Sequence, residues 1–122
     1  MTLEDLVEQF ALNVAAQTEA TWRSDSRSAN KHARKYGVAV DKLLAHGDAG
    51  RDALLVLLQH ERMDVRVMAA AHLLRYRTAD SKAVLEDAAK GEGMIPFCAQ
   101  QALKRWEDGT WALDRPDAPQ EK

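Results

Sequence analysis

The sequence predicts an all-α domain, an α-α superhelix built as a stack of about three antiparallel helix pairs. Three observations predict it. Apolar residues recur every three to four positions through six successive segments, the spacing of a helix face. The first and last segments keep a polar face while the third and fourth are apolar nearly all round, as expected of stack ends and a stack centre. Finally, Val65, Ala69 and Leu73 superpose on Ile95, Ala99 and Leu103 at a shift of 30, and Ala69 superposes on Ala33 at a shift of 36. Repetition at such a period suits helix pairs that cannot bury their own faces alone. An irregular helical bundle is the alternative architecture.

The first helix opens at Thr2, where Asp5 three residues on makes a capping-box pattern. Leu3, Leu6, Val7, Phe10, Ala11 and Val14 then share one arc, with Glu4, Asp5, Glu8, Leu12 and Glu19 opposite. The helix fades near Trp22, because Ser24, Asp25 and Ser26 compete for backbone hydrogen bonds. The second runs from about Ser28 to His46. His32, Ala33, Tyr36, Ala39, Val40, Leu43 and Leu44 lie on one side, Lys31, Arg34, Lys35, Asp41 and Lys42 on the other, and Gly47 terminates it in a left-handed conformation.

The third helix, Asp48 to His60, has an apolar centre from Ala53 to Leu58 and is expected to be covered on both sides. The fourth runs from Asp64 as N-cap to about Tyr76, apolar through Val65, Val67, Met68, Ala69, Ala70, Ala71, Leu73 and Leu74. The fifth, about Asp80 to Lys90, is short and ends at Gly91 and Gly93. The sixth, Ile95 to Asp108, holds Pro96 in its first turn, where a missing N–H costs nothing. Gly109 stops it, and Trp111 and Leu113 are expected to fold back onto the helices.

At 122 residues the chain suits one domain, read as residues 1–115 with 116–122 a loose tail. Its longest apolar run is far short of the roughly 20 residues that cross a bilayer, so no membrane association is expected. The acidic, amphipathic start lacks a secretory signal pattern, and one cysteine, Cys98, forms no internal disulfide. Both point to the cytoplasm. A formal net charge of −2 does not supply the positive field of a dedicated nucleic-acid binder. The charge is uneven, however. Residues 1–22 hold four acids and no lysine or arginine, whereas Arg23, Arg27, Lys31, Arg34, Lys35 and Lys42 follow against only Asp25 and Asp41.

The segment from Asp64 to Leu73, with its Asp, Val-Arg pair and alanine cluster before a leucine, resembles the second-helix signature of HEAT repeats. That resemblance implies a structural task for Asp64 and Arg66, tying adjacent repeats together. Across roughly residues 3–113 the order of four blocks, 30–35, 48–60, the Val-Arg and alanine segment, and 102–109, resembles a family of short bacterial proteins. That family is a domain of unknown function with a HEAT-like fold, so the resemblance implies the fold and carries over no catalytic residue.

The chemistry-bearing residues form no motif. The histidines at 32, 46, 60 and 72 lack the i, i+3 or i, i+4 spacing of a metal helix, and the position that would complete a zinc motif from His60 is Asp64. His46 and His60 sit in predicted last turns, where a cation suits the helix dipole. His72, on a helix predicted buried, needs a polar partner. It reads either as a core histidine or, with His32, as part of a groove. Cys98 has no histidine placed to activate it, and the Gly91–Gly93 stretch lacks the lysine and strand of a phosphate loop.

The expected function is therefore a non-catalytic protein–protein interaction module without cofactor or metal, such as a bacterial adaptor or toxin-immunity protein, whose partner is another protein. Its expected surface is the wet side of the second and sixth helices: Lys31, Arg34, Lys35, Gln100, Gln101, Lys104 and Arg105. Two alternatives stay open. One is nucleic-acid backbone binding through Arg23, Arg27, Lys31, Arg34 and Lys35. The other is a small enzyme using His72 or His32.

Overall fold

The computed structural model describes residues 2–110. It comprises six α-helices in chain order: α1 Leu3–Trp22, α2 Ser26–Ala45, α3 Asp48–Leu55, α4 Met63–Leu73, α5 Thr78–Ala89 and α6 Met94–Asp108, with a 3-10 turn at Val56–Gln59 after α3. There is no strand among the described residues. The expected return of Trp111 and Leu113, and the tail at 116–122, lie outside the described residues.

The ends of the helices follow from short-range chemistry. At α1 the capping box forms as expected: Asp5 N–H donates to Thr2 Oγ1 at 3.1 Å and Thr2 N–H donates to Asp5 Oδ2 at 3.2 Å. The chain then turns at Ser24, whose φ of 59° is left-handed, and Asp25 N–H closes on the Ala20 carbonyl at 2.8 Å. Asp25 takes the Ser28 N–H at 3.2 Å and so starts α2 at Ser26, two residues ahead of the expected start. That backbone bond, aided by the Ser28 hydroxyl, holds the Asp25 carboxyl below its ordinary range. Gly47 does adopt a positive φ of 67°, but it stands between the cap of α2 at His46 and the first residue of α3, serving both helices. Gly109, left-handed at φ 76°, closes α6.

Three expectations about helix limits and burial are corrected. The third helix does not run unbroken to His60. After Leu55 the chain tightens to a 3-10 turn, which rotates each residue further round the axis. Leu54, Leu57 and Leu58 stay buried, but Val56 is 63% exposed, so this apolar segment is covered on one side only. His60 consequently leaves the helix in an extended conformation, and its Nδ1 accepts the Arg62 N–H at 3.0 Å instead of meeting a helix C-terminus. Asp64 is not the N-cap of α4. Arg62 is, and Asp64 lies buried in the first turn, where its carboxylate accepts the Val65 N–H at 2.9 Å. It still places negative charge at the positive end of the helix.

The core is centred on α4, which packs against α1, α3, the 3-10 turn, α5 and α6. Val65, Ala69, Ala70, Leu73 and Leu74 are fully buried there. The small side chains let neighbouring helices come close. The first hairpin is the most extensive pairing, and it presents α1 to α4 through Phe10, which meets Tyr36 of α2 and His72 of α4 edge-on at 5.7 and 5.9 Å between ring centroids. Arg51 of α3 lies 4.0 Å over the Tyr76 ring, joining α3 to the turn between α4 and α5.

Not every glycine answers a need. Gly37 sits within α2, and a Cβ there would meet no atom within 4 Å. Glycine inside a helix costs about 0.5–1 kcal/mol relative to alanine. Gly37→Ala is therefore expected to raise the melting temperature by roughly 2–4 °C, at about 4 °C per kcal/mol for a chain of this length. A thermal melt followed by circular dichroism checks it. An unchanged or lower transition would mean that this face of α2 is covered in solution.

Candidate interaction surfaces

Of the grooves that open among the described residues, three are bordered by α1. The first, of about 670 Å³, lies between α1 and the α3/3-10 segment. Helical spacing sorts its α1 wall into two rows: Leu3, Val7 and Ala11 on the more buried side, Glu4, Glu8 and Leu12 on the outer side. Facing them, Ala53 and Leu57 are the more buried, with Ala49, Asp52, Val56 and His60 outside. Leu12 is 61% exposed and Val56 63%. Among the described residues no lysine or arginine lines this groove.

The second groove, about 600 Å³, runs between α1 and α2 and is lined by Gln9, Asn13, Lys31, Arg34, Lys35 and Val38. Here the i, i+3, i+4 spacing of the three bases does bring them together on one exposed face, as the sequence predicts. His32 stands behind them, half-buried, with Nδ1 2.9 Å from Asn13 Oδ1. Since Asn13 gives its own amide protons to the Gln9 carbonyl at 2.8 Å, Nδ1 of His32 donates, which fixes the orientation of both side chains.

The third groove, about 620 Å³, lies where the end of α1 meets the starts of α4 and α6. Exposed Trp22, Met63 and Met94 line it together with Arg62, Asp64, Ile95, Pro96 and the loop 91–93. Phe97, also exposed, follows one turn into α6.

The remaining expected residues are distributed differently from the sequence reading. His72 is half-buried rather than buried and packs edge-on against Phe10, while His32 bonds to Asn13; neither lines any of the three grooves described above. Tyr36, on the other edge of Phe10, has its phenol pushed up by burial, with a lesser contribution from the nearby Cys98. Cys98 itself is exposed. Among the described residues no group of three or more His, Cys, Asp or Glu side chains is placed to hold a metal ion, and no helix is long and apolar enough to cross a membrane. On α6, Gln100, Lys104 and Arg105 are exposed and Gln101 half-buried. Gln100 has a structural task, donating to the Ala89 carbonyl at 2.9 Å at the end of α5. α2 and α6 are not among the extensively packed helix pairs.

The implied ties of Asp64 and Arg66 differ from each other. Asp64 links α4 to α1, pairing with Arg62 and accepting from Thr18, while Arg62 also reaches Glu19 at 3.2 Å. Arg66 instead donates to the carbonyls of His60 and Glu61 at 2.8 and 3.1 Å, bracing the loop before its own helix.

The apolar groove is what sequence reasoning missed. One signal was present: Leu12 stands among acids in the polar arc of α1. Its meaning depends on Val56 coming to face the same opening from a segment more than forty residues later.

No curated protein matches the chain. A solved structure similar to it is the crystal structure of the protein RPA1889 from Rhodopseudomonas palustris CGA009, 26% identical with a TM-score of 0.85, covering 98% of this chain and 95% of that one. The family profile described as Domain of unknown function (DUF2019) matches residues 4–105, and the chain belongs to that family.

Proposed function

We propose that the chain is a non-catalytic protein-interaction module, a HEAT-like helical scaffold whose work is to hold another protein. The observation that carries this reading is the open apolar groove between α1 and α3, with Leu12 and Val56 exposed on its two lips. Scattered exposed apolar residues are ordinary on a protein surface, but apolar side chains from two elements facing one opening mark a binding surface. The two histidines weighed for catalysis support it from the other side: His32 and His72 are engaged with Asn13 and Phe10 and line none of the three grooves described above.

An affinity capture with the tagged full chain, at low and moderate salt, tests the proposal. A protein retained at moderate salt is expected to be lost from Leu12→Asp and from Val56→Asp, both exposed positions whose substitution leaves the core untouched. Retention by both variants would reject the groove as the binding surface. A second reading, backbone binding of nucleic acid, draws on Lys31, Arg34 and Lys35 lining one groove. It requires nucleic acid to be captured with a steep salt dependence and lost on charge reversal of those three bases.

A further inference from the structure

The α1/α3 groove is lopsided in charge as well as apolar. Among the described residues its lining contributes Glu4, Glu8 and Asp52 against one histidine, His60, whose Nδ1 is taken by the Arg62 N–H, and no lysine or arginine. Asp52 is already engaged by Arg77 at 2.6 Å. Glu4 and Glu8 form no ion pair among the described residues, and they stand four residues apart on α1, a spacing at which like charges repel across one turn. No base in the first 22 residues offsets them. A cation delivered to this lip would relieve the repulsion, while an anion would add to it.

The shape narrows the occupant further. Ala11, Ala49 and Ala53 keep the middle of the groove shallow-sided, which allows a helix backbone to come close and pack into both walls. The α1 wall from Leu3 to Leu12 extends roughly 14 Å at 1.5 Å per residue, the length of two to three helical turns.

We infer that this groove receives a short amphipathic helix of a protein partner, its apolar stripe lying against Val7, Leu12, Val56 and Leu57 and its flanking lysines or arginines meeting Glu4 and Glu8. The inference rests on the interaction-module reading and names the partner's chemistry at the same groove.

The probe is a fluorescent 15-residue peptide with leucines at i, i+3, i+4 and i+7 and lysines beside them, compared with a version carrying glutamate for every lysine. Fluorescence polarisation with the full chain at moderate salt is expected to show the lysine peptide bound at least tenfold more tightly. Glu4→Gln with Glu8→Gln weakens it at least threefold and flattens its salt dependence. Val56→Asp weakens it at least tenfold although it adds a negative charge, and Leu12→Ser, with circular dichroism as the check on folding, does the same without adding one.

Tighter or unchanged binding to Val56→Asp would reduce the interaction to surface attraction and overturn the inference, as would equal binding of the glutamate peptide. A chain that sediments as a dimer, dissociated by Val56→Asp, would overturn it in favour of a second copy in the groove. If the peptide fails while Leu12→Asp and Val56→Asp still strip a captured protein, the basic-helix inference falls and the interaction module stands. If they strip nothing, the reading of the groove falls with it.

Discussion

Gly50→Ala is expected to lower the melting temperature by roughly 8–12 °C, a large effect for one methyl group. Gly50 is buried as the third residue of α3, and a Cβ there would lie 1.6 Å from the Leu43 carbonyl oxygen and 2.5 Å from its carbon. Both atoms are backbone of α2, so no rotamer change relieves the clash, and α3 must move away by more than an ångström. That displacement would loosen Leu43 and Leu54, both fully buried. Overpacking ordinarily costs about 1–3 kcal/mol and sometimes more. A clash with rigid backbone belongs at the upper end, about 3 kcal/mol, and a chain of this length shifts by about 4 °C per kcal/mol. Alanine returns up to about 1 kcal/mol of helix propensity, which limits the loss without reversing it. Thermal and urea melts of Gly50→Ala beside Gly37→Ala should therefore move in opposite directions. A Gly50→Ala protein melting with the parent would show that α2 and α3 do not meet this closely in solution.

The contrast between those two glycines marks where legibility in the sequence stops. Periodicity and caps are local, so the number of helices, the capping box at Thr2 and Asp5, and the stop at Gly109 could be read directly. The same holds for the shared face of Lys31, Arg34 and Lys35. Which glycine faces another backbone is not local, since it depends on the approach of α3 to α2. The break after Leu55 was hidden for a different reason. Ala53 to Leu58 contains no glycine, proline or polar residue to punctuate it, and only the tertiary setting turns Val56 outward. The groove combines both difficulties, as its two walls come from distant segments. His32 and Asn13 show the same limit in a polar pair: each type announces a need for a partner, and neither announces which.

Removing the Arg62 guanidinium, as in Arg62→Met, is expected to cost about 2–3 kcal/mol at neutral pH and to blunt the response of stability to acid. The Asp64 side chain is 6% exposed and receives Arg62 twice, Nε on Oδ1 and Nη2 on Oδ2, each at 3.0 Å. Val65 N–H and the Thr18 hydroxyl, which also reaches the Val14 carbonyl, complete its shell. Losing one partner of a buried pair typically costs 3–5 kcal/mol because the other charge is stranded. Arg62 is 35% exposed, so water reaches its end of the pair and the lower figure applies. Burial by itself pushes the Asp64 carboxyl up, but the bonds from Arg62 and Thr18, the arginine charge and the Val65 amide outweigh it and hold the group below its ordinary value of 3.8. A folded pKa below the unfolded one stabilises the protein above the unfolded value, and that contribution is lost as pH falls through the folded one. The parent should therefore weaken below about pH 4. In Arg62→Met, burial is no longer opposed by the guanidinium, the carboxyl rises from its parent position, and protonation relieves the stranded charge, so acid costs the variant less stability than it costs the parent. Urea midpoints at pH 7, 5 and 4 read the difference directly. The gap between parent and variant closes in acid if Asp64 depends on Arg62, and a gap of constant size would show that the carboxylate is held by Thr18 and Val65 without the arginine.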